Sequence, residues 1–147
     1  MVIKKQLIDF RIRWSWHSLS RAYNYHAKKF NSSNSIGYAL LNIDKNGTFS
    51  TELGPKMGME SRSLTRTLKN MLEQDLIFKN QHSNDKRKVK IFLTKKGIEY
   101  RKIASKYVKK FNETIFNNVP KEDLKSFYKV MDIIDRTINI INDDERL

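Results

Sequence analysis

A chain of 147 residues is long enough to bury one substantial core and short for two independent ones. Its 29 Lys and Arg against 16 Asp and Glu leave a net charge of +13, a field that attracts polyanions, so nucleic acid leads the candidate partners. The absence of cysteine excludes disulfides, thiolate metal sites and thiol switches, and no apolar run approaches the roughly 20 residues a membrane helix needs, so a soluble, cytoplasmic protein with no membrane partner is expected.

The first segment, from about Lys4 to Phe30, carries one helical stripe of Ile8, Ile12, Trp16, Leu19, Tyr23, His26 and Phe30. A second apolar set, Phe10, Trp14, His17 and Tyr25, begins two residues later and so lies about 200° around, on the opposite face. One face can lie on the body of its own chain; the other calls for another chain, another helix or a ligand. Trp14, His17, Arg21 and Tyr25 therefore carry two readings. They can line an effector pocket, with aromatic walls and a cation for an anionic ligand, or they can be dimer core with Arg21 held in an ion pair.

Asn31 to Ser35 is polar and supplies N-cap candidates for a shorter helix marked by Ile36, Leu40 and Ile43, which stops before the Asn46-Gly47 turn signal. Thr48-Phe49-Ser50 fits a single short strand that pairs with a hairpin further on. Thr51 or Ser50 can cap a weak helix from Glu52 to about Met57, with Leu53 and Met57 inward, Pro55 in its first turn and Gly58 at its end. Ser61 to Gln74 is a stronger helix. Its Leu64, Leu68, Met71 and Leu72 form one core-facing stripe, whereas Arg62, Thr65, Arg66 and Lys69 share the outward side, with Ser63 near its margin. An apolar back and a front of Arg, Thr and Lys suit the major groove, where such side chains reach base edges and phosphates.

Beyond Leu76-Ile77-Phe78, the residues Val89, Ile91 and Leu93 alternate with Lys88, Lys90 and Phe92, the period of a half-buried strand, and Ser83-Asn84-Asp85 is turn chemistry. The two strands make a hairpin with its tip near Asp85 to Arg87. Between Lys79 and Lys96 stand seven Lys or Arg against one Asp, a net charge of +6 on a protruding loop.

This order of helix, helix-turn-helix and strand, followed by Asp85-Lys86-Arg87 and, five residues on, by Leu93-Thr94-x-x-Gly97, resembles the MarR family of winged-helix transcriptional regulators. The wing of that family carries D-x-R followed by LT-x-x-G. The motif match spans about Ile36 to Gly97, and the helical layout matches over the whole chain. The resemblance implies an obligate homodimer, a triangular body with two winged helices, and control by a small molecule bound where the dimer helices meet the DNA-binding lobe. It makes Ser61 to Lys69 the recognition region, Arg87 the wing-tip residue that enters the minor groove, and Asp85 a support that holds the wing through a basic partner. A narrow minor groove concentrates negative potential, which favours an Arg on a thin loop. Lys86, Lys88 and Lys90 are better placed as phosphate contacts that position the protein without reading sequence. Thr94 fits a helix cap with Gly97 in the first turn that follows. Without cysteine the chain cannot be a thiol-oxidising peroxide sensor of that family.

From Lys95 the chain is helical again, with Ile98, Ile103, Tyr107, Phe111 and Ile115 inward, until Asn117-Asn118-Val119-Pro120 interrupts it. The last helix, about Lys121 to Asn142, carries Leu124, Phe127, Tyr128, Met131, Ile134, Ile138 and Ile141, with Ile133 and Ile140 off the stripe. A terminal helix that apolar would be an aggregation liability if left bare. Together with the two-faced first helix, it argues that the chain ends build a shared interface, and a two-fold dimer suits two half-sites about 34 Å apart. The expected architecture is mainly α with a small β-hairpin wing. One chain domain of 1–147 comprises a winged helix-turn-helix lobe over 36–97 and dimerisation helices formed by 1–30 with 98–147.

Catalytic chemistry finds little footing. His17, His26 and His82 lack metal-ligand spacing, and neither a nucleophile elbow nor a phosphate-cradling glycine loop is present, so no enzyme activity, metal or cofactor is expected. The expected function is a homodimeric, ligand-responsive repressor or activator on a pseudo-palindromic duplex operator. Two alternatives remain open: a basic architectural or RNA-binding protein without an operator, and a helical protein-interaction module.

Overall fold

The computed structural model describes residues 7–81 and 88–144. Its helices among these residues are α1 (Ile8–Lys28), α2 (Asn34–Asn42), α3 (Ser50–Met57), α4 (Ser61–Glu73), α5 (Lys95–Asn118) and α6 (Lys121–Asp144). The strands are β1 (Thr48–Phe49), β2 (Ile77–Gln81) and β3 (Val89–Leu93), in the order β1-β3-β2 and antiparallel throughout. The short strand expected at Thr48 thus pairs with the hairpin, Thr48 opposite Ile91 and Phe49 opposite Lys90. No helix among the described residues is long and apolar enough to cross a membrane.

The described residues divide into two compact units between Tyr107 and Val108. The first holds the core. Ile36, Ala39, Leu40 and Ile43 from the α2 region, Leu53 and Met57 from α3, Leu64, Leu68 and Met71 from α4, Leu76 just before β2, and Ile77 and Ile91 from the strands form one buried cluster. Each Leu, Ile or Met side chain among them contributes about 1.5–3 kcal/mol through removal from water. Leu72 and Leu93 pack against the cluster half-buried. Core formation therefore draws on α2, α3, α4, β2 and β3, and α4 buries Leu64, Leu68 and Met71 of the stripe that its spacing predicts, with Thr67 added.

Local chemistry fixes the joints. Ser33 caps α2, its hydroxyl accepting from the Ile36 N–H at 3.2 Å. Three helix exits share one geometry, in which a residue in the left-handed region lets the chain turn back on the last carbonyls. At the end of α1 it is Asn31 (φ 50°), after α3 Gly58 (φ 61°), and after α4 Asp75 (φ 57°). After α4, the Leu76 N–H donates to the Met71 carbonyl at 2.9 Å and the Asp75 N–H to the Leu72 carbonyl at 3.0 Å. Asn and Asp are the non-glycine residues that tolerate this conformation best.

Four details differ from the sequence expectation. Ile43 follows the end of α2 in extended conformation rather than lying within it. Helix α3 starts at Ser50, with Phe49 at the cap position and no side-chain cap bond, so neither Ser50 nor Thr51 caps it. The earlier start carries Pro55 out of the first turn into the helix body, where it withholds a donor from an already weak helix. On α5 only Gly97 is buried, while Ile98, Phe111 and Ile115 are exposed within the single chain. These side chains share a helical stripe, but a stripe only states that a surface is apolar; which body covers it depends on what lies opposite. No residue of α1 is buried either. In the second unit, Phe127, Tyr128, Ile133, Ile138, Ile140 and Ile141 of α6 all face solvent.

Candidate nucleic-acid interface

Helix α4 separates two chemistries around one axis. Leu64, Thr67, Leu68 and Met71 are buried, and Ser61, Arg62, Ser63, Thr65, Arg66 and Lys69 are all exposed. Arg62 and Arg66 form no hydrogen bond or ion pair with any described residue, so both guanidinium groups keep their donors for an external acceptor. Lys69 is only loosely engaged, 3.9 Å from Glu73 one turn on, with both side chains solvated. Such pairs are worth little and give way to a phosphate readily. The Thr65 hydroxyl donates back to the Ser61 carbonyl at 2.8 Å, which ties the exposed side chain to its own helix. Glu60 stands at the N-cap position without a side-chain cap bond, so the first N–H groups of α4 and its positive dipole end stay open. Beside them an open groove of about 620 Å³ runs between α3 and α4, lined by Ser50, Thr51, Pro55, Met59, Glu60 and Thr65 among others.

The hairpin supplies a second basic element. Its register is Ile77 opposite Leu93, Phe78 opposite Phe92 and Asn80 opposite Lys90, which puts Lys90, Phe92, Phe78 and Phe49 on one face and buried Ile91 on the other. Phe78 and Phe92 stack at 5.3 Å. The Lys90 ammonium lies over the Phe49 ring at 5.5 Å and the Phe92 ring at 5.6 Å. Its stem is thereby packed and its charge held in place, an arrangement that lowers the entropy lost on meeting a phosphate. Lys88 is exposed where β3 begins. Asp85, Lys86 and Arg87, expected at the tip, lie outside the described residues, as does His82.

Trp14, His17, Arg21 and Tyr25 come together on one side of α1, as their spacing requires, and all four are exposed, Trp14 at 57% and Tyr25 at 67%. Arg21 donates from Nη2 to the Ser18 hydroxyl at 3.1 Å. The Tyr25 ring carries the Lys29 ammonium at 5.2 Å and meets His26 edge-on. As a surface of one chain, this is an open aromatic strip.

Sequence reasoning passed over one polar node that frames the site. Asp44 lies just after α2 and accepts both from Lys56 Nζ of α3, at 3.0 and 3.1 Å, and from the buried Thr48 hydroxyl at 3.3 Å. Its own N–H donates to that hydroxyl at 2.8 Å. The Lys56 hydrogen bond and charge hold the Asp44 carboxyl below its ordinary value. Arg101 of α5 adds a bond from Nη1 to the Ile43 carbonyl at 3.0 Å. The only sequence signal was Asp44 standing before the Asn-Gly turn, four residues ahead of Thr48.

An amphipathic second helix with a cationic front, followed by a basic antiparallel hairpin on the same core, defines a winged helix-turn-helix lobe. Residues 39–89, which lie within this lobe, match the model of the MarR family. No curated protein sequence matches the chain. Among solved structures, the Staphylococcus aureus MepR–DNA complex is similar with a TM-score of 0.82 at 15% identity, covering 90% of this chain and 98% of that one. The transcriptional regulator PcaV from Streptomyces coelicolor, in complex with its natural ligand, gives 0.77 at 15% identity and covers 92% and 96%. The transcriptional regulator SlyA gives 0.78 at 15% identity and covers 87% and 91%. At that identity the likeness establishes the fold, over nearly the full length of each chain.

Proposed function

We propose that the chain is a sequence-specific, duplex-DNA-binding transcriptional regulator that acts as a homodimer. The observation that carries this reading is the division of α4, whose back is buried in the core while Arg62 and Arg66 on the front have no partner among the described residues. A rigid helix with unengaged donors can read base edges, since its donors cost no internal bond to redeploy. Lys69, Lys88 and Lys90 then contact phosphates. Arg87 reaches the minor groove and Asp85 supports the wing, roles that rest on the D-x-R pattern. The family match over the lobe supports DNA as the partner, and MepR is a relative by fold that was crystallised on DNA.

The exposed apolar faces of α1 and α6 support the second half of the proposal, each on its own account. Residues 1–30 with 98–147 form the dimer interface, and the two lobes meet successive major grooves about 34 Å apart. The aromatic strip of Trp14, His17, Arg21 and Tyr25 takes an anionic effector when a second surface closes over it, as the liganded state of PcaV suggests by likeness of fold. The function is binding rather than catalysis, and the protein works in the cytoplasm where its operator lies.

Selection of bound duplexes from random DNA tests this reading. The expected result is a pseudo-palindromic motif bound about 10³-fold or more over random duplex. Recovery of no motif, with affinity that collapses as salt rises, would point to the sequence-independent alternative that the +13 charge also permits.

A further inference from the structure

The three carbonyls that follow α4 are all bound by the residues that open α5. Lys96 Nζ donates to the Gln74 carbonyl at 2.7 Å, the Thr94 hydroxyl to the Asp75 carbonyl at 2.7 Å, and the Thr94 N–H to the Leu76 carbonyl at 3.1 Å. The same Thr94 hydroxyl accepts from the Gly97 N–H at 2.9 Å and so caps α5. One oxygen therefore serves both helices, as donor to the exit of α4 and as acceptor for the first turn of α5. Gly97 permits the closeness: a Cβ there would lie 2.0 Å from the Leu76 carbonyl oxygen, a backbone atom that cannot turn aside. Lys96 is steadied by the Tyr100 ring, 5.7 Å from its ammonium.

We propose that Thr94 and Lys96 are positioning residues for DNA recognition, fixing the pose of α4 through its C-terminal exit although neither presents its side chain from the recognition helix. The inference rests on the reading of α4 as the recognition helix. Core contacts of Leu64, Leu68 and Met71 hold the back of α4 but leave it freedom to rock about that stripe, because apolar packing is not directional. Hydrogen bonds are directional, and three in a row on consecutive carbonyls remove that freedom. The helix has 13 residues and so spans about 20 Å, which turns a small rotation at the exit into a displacement of ångström scale at Arg62. Base readout depends on atomic register, whereas phosphate attraction tolerates such a shift. Loss of the joint should therefore cost specificity before it costs affinity.

The test compares the full-length protein with T94V, T94S and K96M on two duplexes, the motif enriched by selection and a scrambled sequence of equal length, at one salt concentration. T94V removes the shared hydroxyl and keeps the side-chain shape; T94S keeps the hydroxyl. We expect T94V to lower the ratio of specific to scrambled affinity about tenfold, the discrimination of one good base contact at its low end, with scrambled affinity within about twofold of wild type. T94S should retain the wild-type ratio, and K96M, altered only at an exposed side chain, should show a smaller loss even if T94V fails to fold. A T94V ratio equal to wild type, or equal losses on both duplexes, or equal losses in T94V and T94S, overturns the inference. Wild-type protein that does not discriminate overturns the reading of α4 itself, a different failure visible before any variant is made.

Discussion

Leu40 and Ile140 are alike in chemistry and opposite in surroundings: one is 1% exposed in the winged-helix lobe, the other 61% exposed on α6. In the lobe, residues from α2 to β3 bury one another, so the information needed to complete the core lies within that stretch of sequence. On α6 no side chain among the described residues is buried: Leu124, Met131 and Ile134 are half-covered, and Phe127, Ile133, Ile138, Ile140 and Ile141 are exposed. The contrast teaches that the lobe is specified by internal packing, whereas the last helix is specified by something it must meet. In the reading proposed above, that is a second copy.

Truncation at the two positions sets them against each other most sharply. Leu40→Ala should destabilise the lobe by about 2–5 kcal/mol at any protein concentration, as read by urea unfolding. Ile140→Ala should behave as a core change where sedimentation shows a dimer, costing about 2 kcal/mol or more, and fall to within about 0.5 kcal/mol once dilution separates the chains. A small cost at every concentration would make α6 a solvated face and remove it from the proposed interface.

The next largest effect concerns what the lobe does with its rigidity. Arg66→Ala should weaken binding to the selected duplex by about 1–3 kcal/mol and relax preference at one base position if Arg66 reads a guanine. Loss of equal size on scrambled DNA, measured by competition, would reassign Arg66 to a phosphate.

A smaller effect tests how tightly the lobe is built around the wing. Gly47 has φ 82°, and a Cβ there would lie 2.6 Å from the Phe92 ring. Gly47→Ala should therefore cost about 1–2 kcal/mol for the left-handed backbone, and the displaced ring should loosen its contact with Lys90. Unchanged thermal stability would show that the turn relaxes to another conformation.

These cases also show where the sequence was legible. Period and turn signals placed α4 and β3, because the physics of each is local, a stripe and an alternation, and the Asn46-Gly47 turn signal marked where the short strand at Thr48 begins. The resemblance was legible for the same reason, since Leu93-Thr94-x-x-Gly97 is a helix cap and a close approach written in five positions. What escaped was non-local. That Ile98 and Phe111 face outward follows from what lies opposite them, which no periodicity encodes. Pro55 was placed two residues too near the helix start because that start depends on how Phe49 leaves β1, and no side-chain cap marks it. The bonds from Thr94 and Lys96 reach back about twenty residues to carbonyls, which carry no side-chain signature at all.

The smallest expected effect lies at Asp44, where the lobe is held by charge rather than packing. In the folded chain Lys56 holds the carboxyl below its ordinary value of 3.8, and in the unfolded chain that value returns. Above the ordinary value both states are ionised, and the contribution of the pair is fully present. As pH falls the unfolded chain takes up its proton first, so stability declines from there and the contribution is gone below the folded value. The pair is solvent-exposed, with side-chain exposures of 41% for Lys56 and 64% for Asp44, so salt should shrink the effect. The check is the urea midpoint of wild type and Asp44→Asn between about pH 5 and pH 2. The difference between them should be largest at the upper end and close as acid is added. Profiles that stay parallel would mean that Asp44 holds the turn through its N–H bond to Thr48 alone, and that Lys56 is free to seek a phosphate.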